Sequence, residues 1–235
     1  MTAHVGALTP PAPGWIRLAT EARAGWDLTR LVLATPALLR QPKGNGRTVM
    51  TVPGFGTNDV VLAPLQSYLR YLDHRPVGWG LGVNTGDDVP ALVELLGERV
   101  LDVFADVGKP IDMVGWSLGG YLAREVARDH PHAVRRIVTM GSPIIGGPKY
   151  TVSAELFRRR GVDVDEIEQA IIERDDVPLR TPVTAMWSKN DGVVAYEACI
   201  DRVNPTTENI EVSSAHIGFG VDPEVWKITA RALAA

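Results

Sequence analysis

Short runs of apolar residues recur along the chain and alternate with stretches of helical periodicity. A short apolar run bounded by turn residues is typical of a strand buried on both faces of a sheet. The pattern predicts six such strands, at 47–53, 75–81, 111–116, 133–143, 183–188 and 208–213. It predicts helices at 59–72, 89–108, 118–129, 195–203 and 223–234. This alternation indicates β-α-β units, so we expect an α/β fold with a mostly parallel sheet of about six strands and helices on both faces.

Two segments depart from the alternation of strand and helix. Residues 1–46 contain no predicted strand and form an N-terminal helical segment, which leaves 47–235 as the main domain. Between about 149 and 180, the stretches SAELFRRRG and DVDEIEQAIIERDD predict two charged helices inserted between neighbouring strands. Two interpretations stay open for this insertion: a small cap over the site, or one ordinary crossover helix with a long loop.

Composition excludes some classes of protein. A net charge of −4 gives no basic surface, so nucleic acid is not expected as a partner. The single cysteine, Cys199, cannot form an intrachain disulfide, which fits a reducing compartment. The sequence shows no signal peptide or transmembrane segment, so we predict a cytoplasmic protein. The apolar residues of 15–39 leave contact with a membrane surface open, but an ordinary packed helix is the favoured interpretation.

The stretch GWSLG, residues 115–119, places Ser117 between a predicted strand and a predicted helix. A nucleophile elbow is a sharp strand-to-helix turn that exposes a serine hydroxyl above the edge of the sheet, and its crowded positions require small residues. Gly115 and Gly119 occupy those positions, and Gly120 eases the packing of the new helix. The sequence therefore predicts Ser117 as a nucleophile.

A serine nucleophile needs a general base and an acid that orients the base. His216 stands in the small-residue loop VSSAHIGFG, directly after the last predicted strand, and is the predicted base among five histidines. Asp191 follows the preceding strand and is the predicted acid. Asp222, Asp87 and Asp88 are alternative acids, and the turn KNDG around Asp191 has a plain structural interpretation as well.

Ester or acyl chemistry also needs two backbone N–H groups that bind the oxyanion. The amide of Leu118 follows the nucleophile, and the amide of Phe55 lies in the glycine-containing loop VPGFGTND, for which a plain Pro-Gly turn is the alternative. Four apolar residues near the expected cleft are candidate substrate contacts, with core packing as the alternative. They are Trp116, Ile144, Ile145 and Phe219.

The motifs VPGFGTND, GWSLGG, MGSP, SKNDGVV and SAHIGFG together resemble the α/β-hydrolase superfamily, and within it compact bacterial lipase and carboxylesterase-like hydrolases. The resemblance covers roughly residues 47–235, and the order Ser117, Asp191, His216 is that of the superfamily. It implies a serine esterase that acts on a small ester with an apolar group through an acyl-enzyme, without a metal or organic cofactor. Two features depart from the pattern: Pro53 replaces the histidine of an H-G pair, and the first two strands of the eight-stranded sheet are not predicted.

Other functions share these residues. Thioesterase, lactonase, amidase and acyltransferase chemistry all use the same acyl-enzyme. A binding protein that has the hydrolase fold but no activity is an alternative from another class of protein. The presence of three plausible triad residues argues against it. The oligomeric state does not follow from the sequence.

Overall fold

The computed structural model describes residues 10–13, 21 and 24–235, and over 24–29 it describes the backbone alone. The strands are β1 Thr48–Val52, β2 Arg75–Gly78, β3 Ile111–Trp116, β4 Val134–Met140, β5 Val183–Trp187 and β6 Thr207–Glu211. These six strands form one sheet in the order β2-β1-β3-β4-β5-β6, and every neighbouring pair is parallel. The predicted six-stranded α/β architecture is confirmed.

Seven α-helices lie in the described part of the chain. They are α1 Ala24–Leu38, α2 Ala63–Tyr71, α3 Val89–Val107, α4 Leu118–Asp129, α5 Ala154–Arg159, α6 Val164–Arg174 and α7 Pro223–Ala234. Side-chain caps and a left-handed glycine define the ends of several helices. The Asp88 side chain accepts the N–H of Ala91 at the start of α3, and Gly108 ends that helix in the left-handed conformation. Asp222 caps α7 in the same way by accepting the N–H of Glu224.

Two predicted helices differ from the structure. The stretch 59–72 is a 3-10 helix, Asp59–Leu62, followed by α2, so Pro64 lies in the first turn of α2, where its missing N–H costs no hydrogen bond. The predicted helix at 195–203 is a single 3-10 turn, Tyr196–Cys199. The physical reason is that the Asp201 carboxylate accepts the backbone N–H groups that follow it and folds this segment into a turn.

The sheet separates two apolar layers. Val114, Val138 and Met186 pack on one face with the side chains of α2 and α7, while Met113, Ile137 and Ala185 pack on the other with those of α3 and α4. Alternate residues of a strand point to opposite faces, so both sets must be apolar. This burial on both faces is why the strands read as continuous apolar runs.

The N-terminal segment and the insertion add to this framework. Helix α1 packs through Leu31 and Ala34 against the layer of α2 and α7. Most of residues 1–23 lie outside the described residues, and with them much of the stretch 15–39, for which contact with a membrane surface was an alternative. Among the described helices, none combines the length and the apolar character needed to cross a membrane. Between β4 and β5 the chain forms a 3-10 turn, Gly147–Tyr150, and then α5 and α6.

Candidate active site

Ser117 forms the sharp turn between β3 and α4. The strand ends at Trp116 and the helix begins at Leu118, so Ser117 is the one residue between them. Its φ of 53° and ψ of −126° are rare for a residue with a side chain and store backbone strain at this point. The Ser117 N–H donates to the Met140 carbonyl at 2.8 Å, which fixes the turn against the end of β4.

The glycines around Ser117 are required by close backbone contacts. A Cβ atom at Gly115 would lie 2.4 Å from the Cα of Gly120, and one at Gly119 would lie 2.3 Å from the carbonyl oxygen of Val52. No side chain fits at either distance, because the start of α4 presses against the ends of β1 and β3. The G-x-S-x-G spacing therefore has a steric cause in this fold.

Asp191 and His216 form a buried hydrogen-bonded pair. His216 Nδ1 lies 2.7 Å from Asp191 Oδ2, and both side chains are almost fully buried. The other carboxylate oxygen of Asp191 accepts the backbone N–H groups of Val193 and Val194 at 2.8 and 2.7 Å. A carboxylate only accepts, so Nδ1 carries the proton in the neutral imidazole and Nε2 is left as the acceptor.

The end of β4 brings the serine and this pair together. Met140 accepts the Ser117 N–H, and a Cβ atom at the next residue, Gly141, would lie 3.0 Å from Asp191 Oδ2 and 3.2 Å from His216 Nδ1. Trp116 supports the histidine, since its indole N–H donates to the His216 carbonyl at 3.1 Å and the two rings lie 5.6 Å apart. The three predicted triad residues thus lie at one edge of the sheet.

A cavity of about 880 Å³ opens beside Ser117, and Phe55 and Leu118 share its wall. Its volume lies in the range of roughly 300–1,000 Å³ that is typical of small-molecule sites. Most of the wall is apolar and comes from α3, α4 and the insertion. The apolar lining includes Val89, Val93, Leu101, Tyr121, Phe157, Val162, Ile167 and Ile171. Burial and the nearby Glu125 carboxylate raise the pKa of Tyr121 above its ordinary value, so this phenol stays protonated.

The insertion forms part of the wall of this cavity and contacts other parts of the wall. The rings of Phe157 on α5 and Phe55 lie 5.3 Å apart. At the other end, Arg174 on α6 donates to Glu125 at 2.8 Å and to Asp129 at 3.0 Å, both on α4. These contacts join the insertion both to the loop beside the serine and to the helix that follows the serine.

The loop at residues 53–57 lies against the nucleophile. A Cβ atom at Gly54 would lie 3.2 Å from the Ser117 Cβ. No acceptor among the described residues takes the Phe55 N–H, and the Leu118 N–H lies in the first turn of α4, where helix geometry supplies no acceptor. Both amides are therefore available at the cavity wall.

Asn84, which lies between β2 and α3, holds the same loop in place. Its side chain donates to the Pro53 carbonyl at 2.8 Å, its backbone carbonyl accepts the Gly56 N–H at 2.7 Å, and its backbone N–H donates to the Thr57 carbonyl at 2.8 Å. Asn84 is not among the residues predicted from the sequence, because only its position among glycines in GVNTGDD marks it. Asn84 is fully buried, so these bonds fix the path of the loop.

Glu21 also contacts the site and is not among the residues predicted from the sequence. It accepts the backbone N–H groups of Gly192, His216 and Ile217. These contacts span 171 to 196 residues of sequence. No local pattern signals a contact of that kind.

The four predicted substrate contacts are not part of the cavity wall as the described residues define it. Trp116 and Phe219 pack in the layer of α2 and α7, on the face of the sheet opposite the α3 and α4 side chains that line the cavity. The Ile144 N–H donates to the Ala198 carbonyl, and Ile145 packs with the segment after β5. Trp116 and Phe219 are therefore members of the buried apolar layer, the arrangement that the core-packing alternative describes.

Each alternative acid has a partner other than His216. Asp222 caps α7 and pairs with Arg30 at 3.1 Å, and Asp88 caps α3. Asp87 pairs with Arg160 at 3.4 Å on the surface. Within the described ranges, no group of three or more His, Cys, Asp or Glu side chains is placed to hold a metal ion.

The sheet order, the elbow and the family comparison define the fold. A family model for the alpha/beta hydrolase fold matches residues 105–162. Together with the six-stranded parallel sheet, this match shows that the chain has the α/β-hydrolase fold.

Individual relatives are distant. The chain is 26% identical over 114 residues to a pimeloyl-[acyl-carrier protein] methyl ester esterase of Aliivibrio salmonicida, and the match covers 46% of this chain and 41% of that protein. The mature lipase BlEst2 of Bacillus licheniformis superposes with a TM-score of 0.66 at 14% identity, over 83% of this chain and 95% of that one. Aspergillus fumigatus lipase B superposes with a TM-score of 0.61 at 16% identity, over 82% and 54%. At these identities the structural likeness concerns the fold.

Proposed function

We propose that the protein is a serine hydrolase that cleaves carboxylic esters. The observation that carries the proposal is the buried 2.7 Å contact between His216 and Asp191, at the same sheet edge as a serine held in a strained elbow. A structural histidine needs no such partner and no such serine beside it. The esterase and lipases among the relatives agree with this choice of chemistry.

The mechanism uses each group according to its hydrogen bonds. His216 Nε2 removes the proton of the Ser117 hydroxyl while the serine oxygen attacks the ester carbonyl, and Asp191 holds the ring in the tautomer that this requires. The N–H groups of Leu118 and Phe55 bind the oxyanion of the tetrahedral intermediate. His216 then donates its proton to the departing alcohol, and the acyl-enzyme forms. Water activated by His216 releases the acid and restores the serine.

The apolar cavity supports an ester with an aliphatic acyl or alcohol group. The insertion acts as a cap in this proposal, because Phe157 and Ile171 line the same cavity as Ser117. Thioesters, lactones and acyl transfer to another alcohol use the same residues, so they remain the alternative reactions. A non-catalytic binding protein would need the pocket but not the pair of Asp191 and His216.

The cavity predicts a preference for longer acyl chains. Across p-nitrophenyl esters from acetate to palmitate, we expect kcat/KM to rise from acetate towards medium chains. Each methylene that leaves water is worth about 0.8 kcal/mol while it still fits. Steady-state hydrolysis of the series measures this. An optimum at acetate would contradict the assignment of this cavity as the acyl site.

A substitution in the cap tests the same assignment. Ala170 on α6 lies at the cavity wall and is exposed, so a tryptophan there narrows the cavity without overpacking the core. We expect Ala170→Trp to lower kcat/KM for octanoate and longer esters and to leave acetate unchanged, so acetate serves as the internal control. An equal loss on all esters would indicate general damage.

Asn84 should act as a positioning residue for the oxyanion loop. We expect Asn84→Asp, which keeps the shape but lacks the donor to Pro53, to lower kcat by no more than the roughly 100-fold that loss of an oxyanion donor costs. Asn84→Ala should behave similarly, with KM changed less than kcat. Steady-state kinetics on one ester measures both constants. Wild-type kcat in Asn84→Asp would show that the Phe55 amide is held without this bond.

A further inference from the structure

Glu21, which precedes the first strand, reaches the two loops that carry Asp191 and His216. Its Oε1 accepts the N–H of Gly192 at 2.8 Å and that of His216 at 3.0 Å. Its Oε2 accepts the N–H of Ile217 at 2.8 Å. One carboxylate therefore joins the residue next to the acid to the histidine itself and to the residue after it.

We propose that Glu21 is a positioning residue that sets the distance between Asp191 and His216. The inference rests on the proposed function, because it concerns the base and acid of that reaction. The two loops follow different strands, β5 and β6, and the side chain of Asn190 in the first loop donates to the Ser213 carbonyl in the second. Glu21 adds a link between the backbones of the two loops, while the 2.7 Å contact of His216 and Asp191 links their side chains.

The chemistry of the bridge favours a carboxylate over any other side chain. Three backbone N–H groups converge on it, and a carboxylate offers acceptors only. Glu21 is 9% exposed, so these donors have little access to water as a substitute. Removal of the carboxylate leaves buried N–H groups without acceptors, and the loops must move to solvate them. A helix cap or surface ion pair would not need such a set of three donors from two separate loops.

The bridge is separate from substrate binding. Glu21 is not part of the wall of the 880 Å³ cavity that the described residues form. Loss of the bridge should therefore lower kcat and leave KM unchanged, because it misplaces the base without altering the acyl site. A displacement of catalytic groups by about 1 Å costs up to roughly 100-fold in rate.

The test compares Glu21→Ala, Glu21→Gln and Asp201→Asn with the wild type. Glutamine keeps one oxygen that bridges Gly192 and His216 but sets its NH₂ against the Ile217 N–H, so it should retain part of the kcat that alanine loses. Asp201 is the matched control. It is a buried carboxylate that also accepts two backbone N–H groups, those of Val203 and Asn204, and it contacts neither loop of the pair.

We expect Glu21→Ala to lower kcat by up to about 100-fold at unchanged KM. Hydrogen exchange of peptides that cover 189–194 and 213–219 should become faster in this variant. Asp201→Asn should lower Tm and leave kcat unchanged. Wild-type kcat in Glu21→Ala, or an equal loss of kcat in Asp201→Asn, would overturn the inference alone. Absence of Ser117-dependent turnover in the wild type would instead overturn the proposed function, and the inference with it.

Discussion

Replacement of Ser117 by alanine should abolish ester hydrolysis, with kcat lower by on the order of 10⁶-fold. The methyl group offers no nucleophile, so no acyl-enzyme can form. Any remaining turnover would come from the oxyanion amides and from substrate binding alone. Hydrolysis of p-nitrophenyl octanoate by purified wild type and variant measures the loss.

Ser142→Ala is the matched control for that substitution. Its hydroxyl is buried beside Gly120, close to the elbow, and has no hydrogen-bond partner among the described residues. We expect this variant to keep the wild-type kcat. Similar activity in Ser117→Ala and Ser142→Ala would exclude Ser117 as the nucleophile.

Asp191→Asn should lower kcat by on the order of 10⁴-fold and leave the fold intact. An amide can donate to His216 Nδ1, which would then have to accept, so Nε2 would carry the proton and could no longer act as a base. The expected loss is smaller than that for Ser117→Ala, because the nucleophile and the oxyanion donors remain. Circular dichroism and Tm establish that the variant is folded, and steady-state kinetics measures kcat.

Asp222→Asn provides the comparison for the acid. It alters a fully buried carboxylate that caps α7 and pairs with Arg30, so we expect reduced stability and nearly unchanged kcat. If Asp191→Asn keeps nearly the wild-type rate while Asp222→Asn loses it, the acid has been assigned to the wrong residue.

The framework of the site could be predicted from the sequence because its signals are local. Parallel strands buried on both faces read as apolar runs, and the elbow around Ser117 shows in the sequence as small residues at Gly115 and Gly119 on either side of the serine. His216 and Asp191 follow strands, so their common edge also follows from the topology.

The parts that could not be predicted depend on long-range packing. Trp116 precedes the serine, yet its side chain lies on the face of the sheet away from the cavity. Its face follows from the alternation of side chains along the strand, and the face that carries the cavity depends on where the insertion folds. Glu21 and Asn84 bind backbone groups of distant loops. Residues of different types carry the same backbone groups, so the residue types in those loops do not signal the contacts. The helix predicted at 195–203 failed because the Asp201 side chain competes for the backbone N–H groups.

The most direct test of the central claim is covalent labelling with a fluorophosphonate, followed by mass spectrometry of the intact protein and of its peptides. An activated serine attacks phosphorus and displaces fluoride, so the wild type should gain one adduct on the peptide that contains Ser117. Ser117→Ala should remain unlabelled, and Asp191→Asn should be labelled far more slowly. An unlabelled wild-type protein, or an adduct on another residue, would contradict the assignment of Ser117, His216 and Asp191 as the catalytic triad.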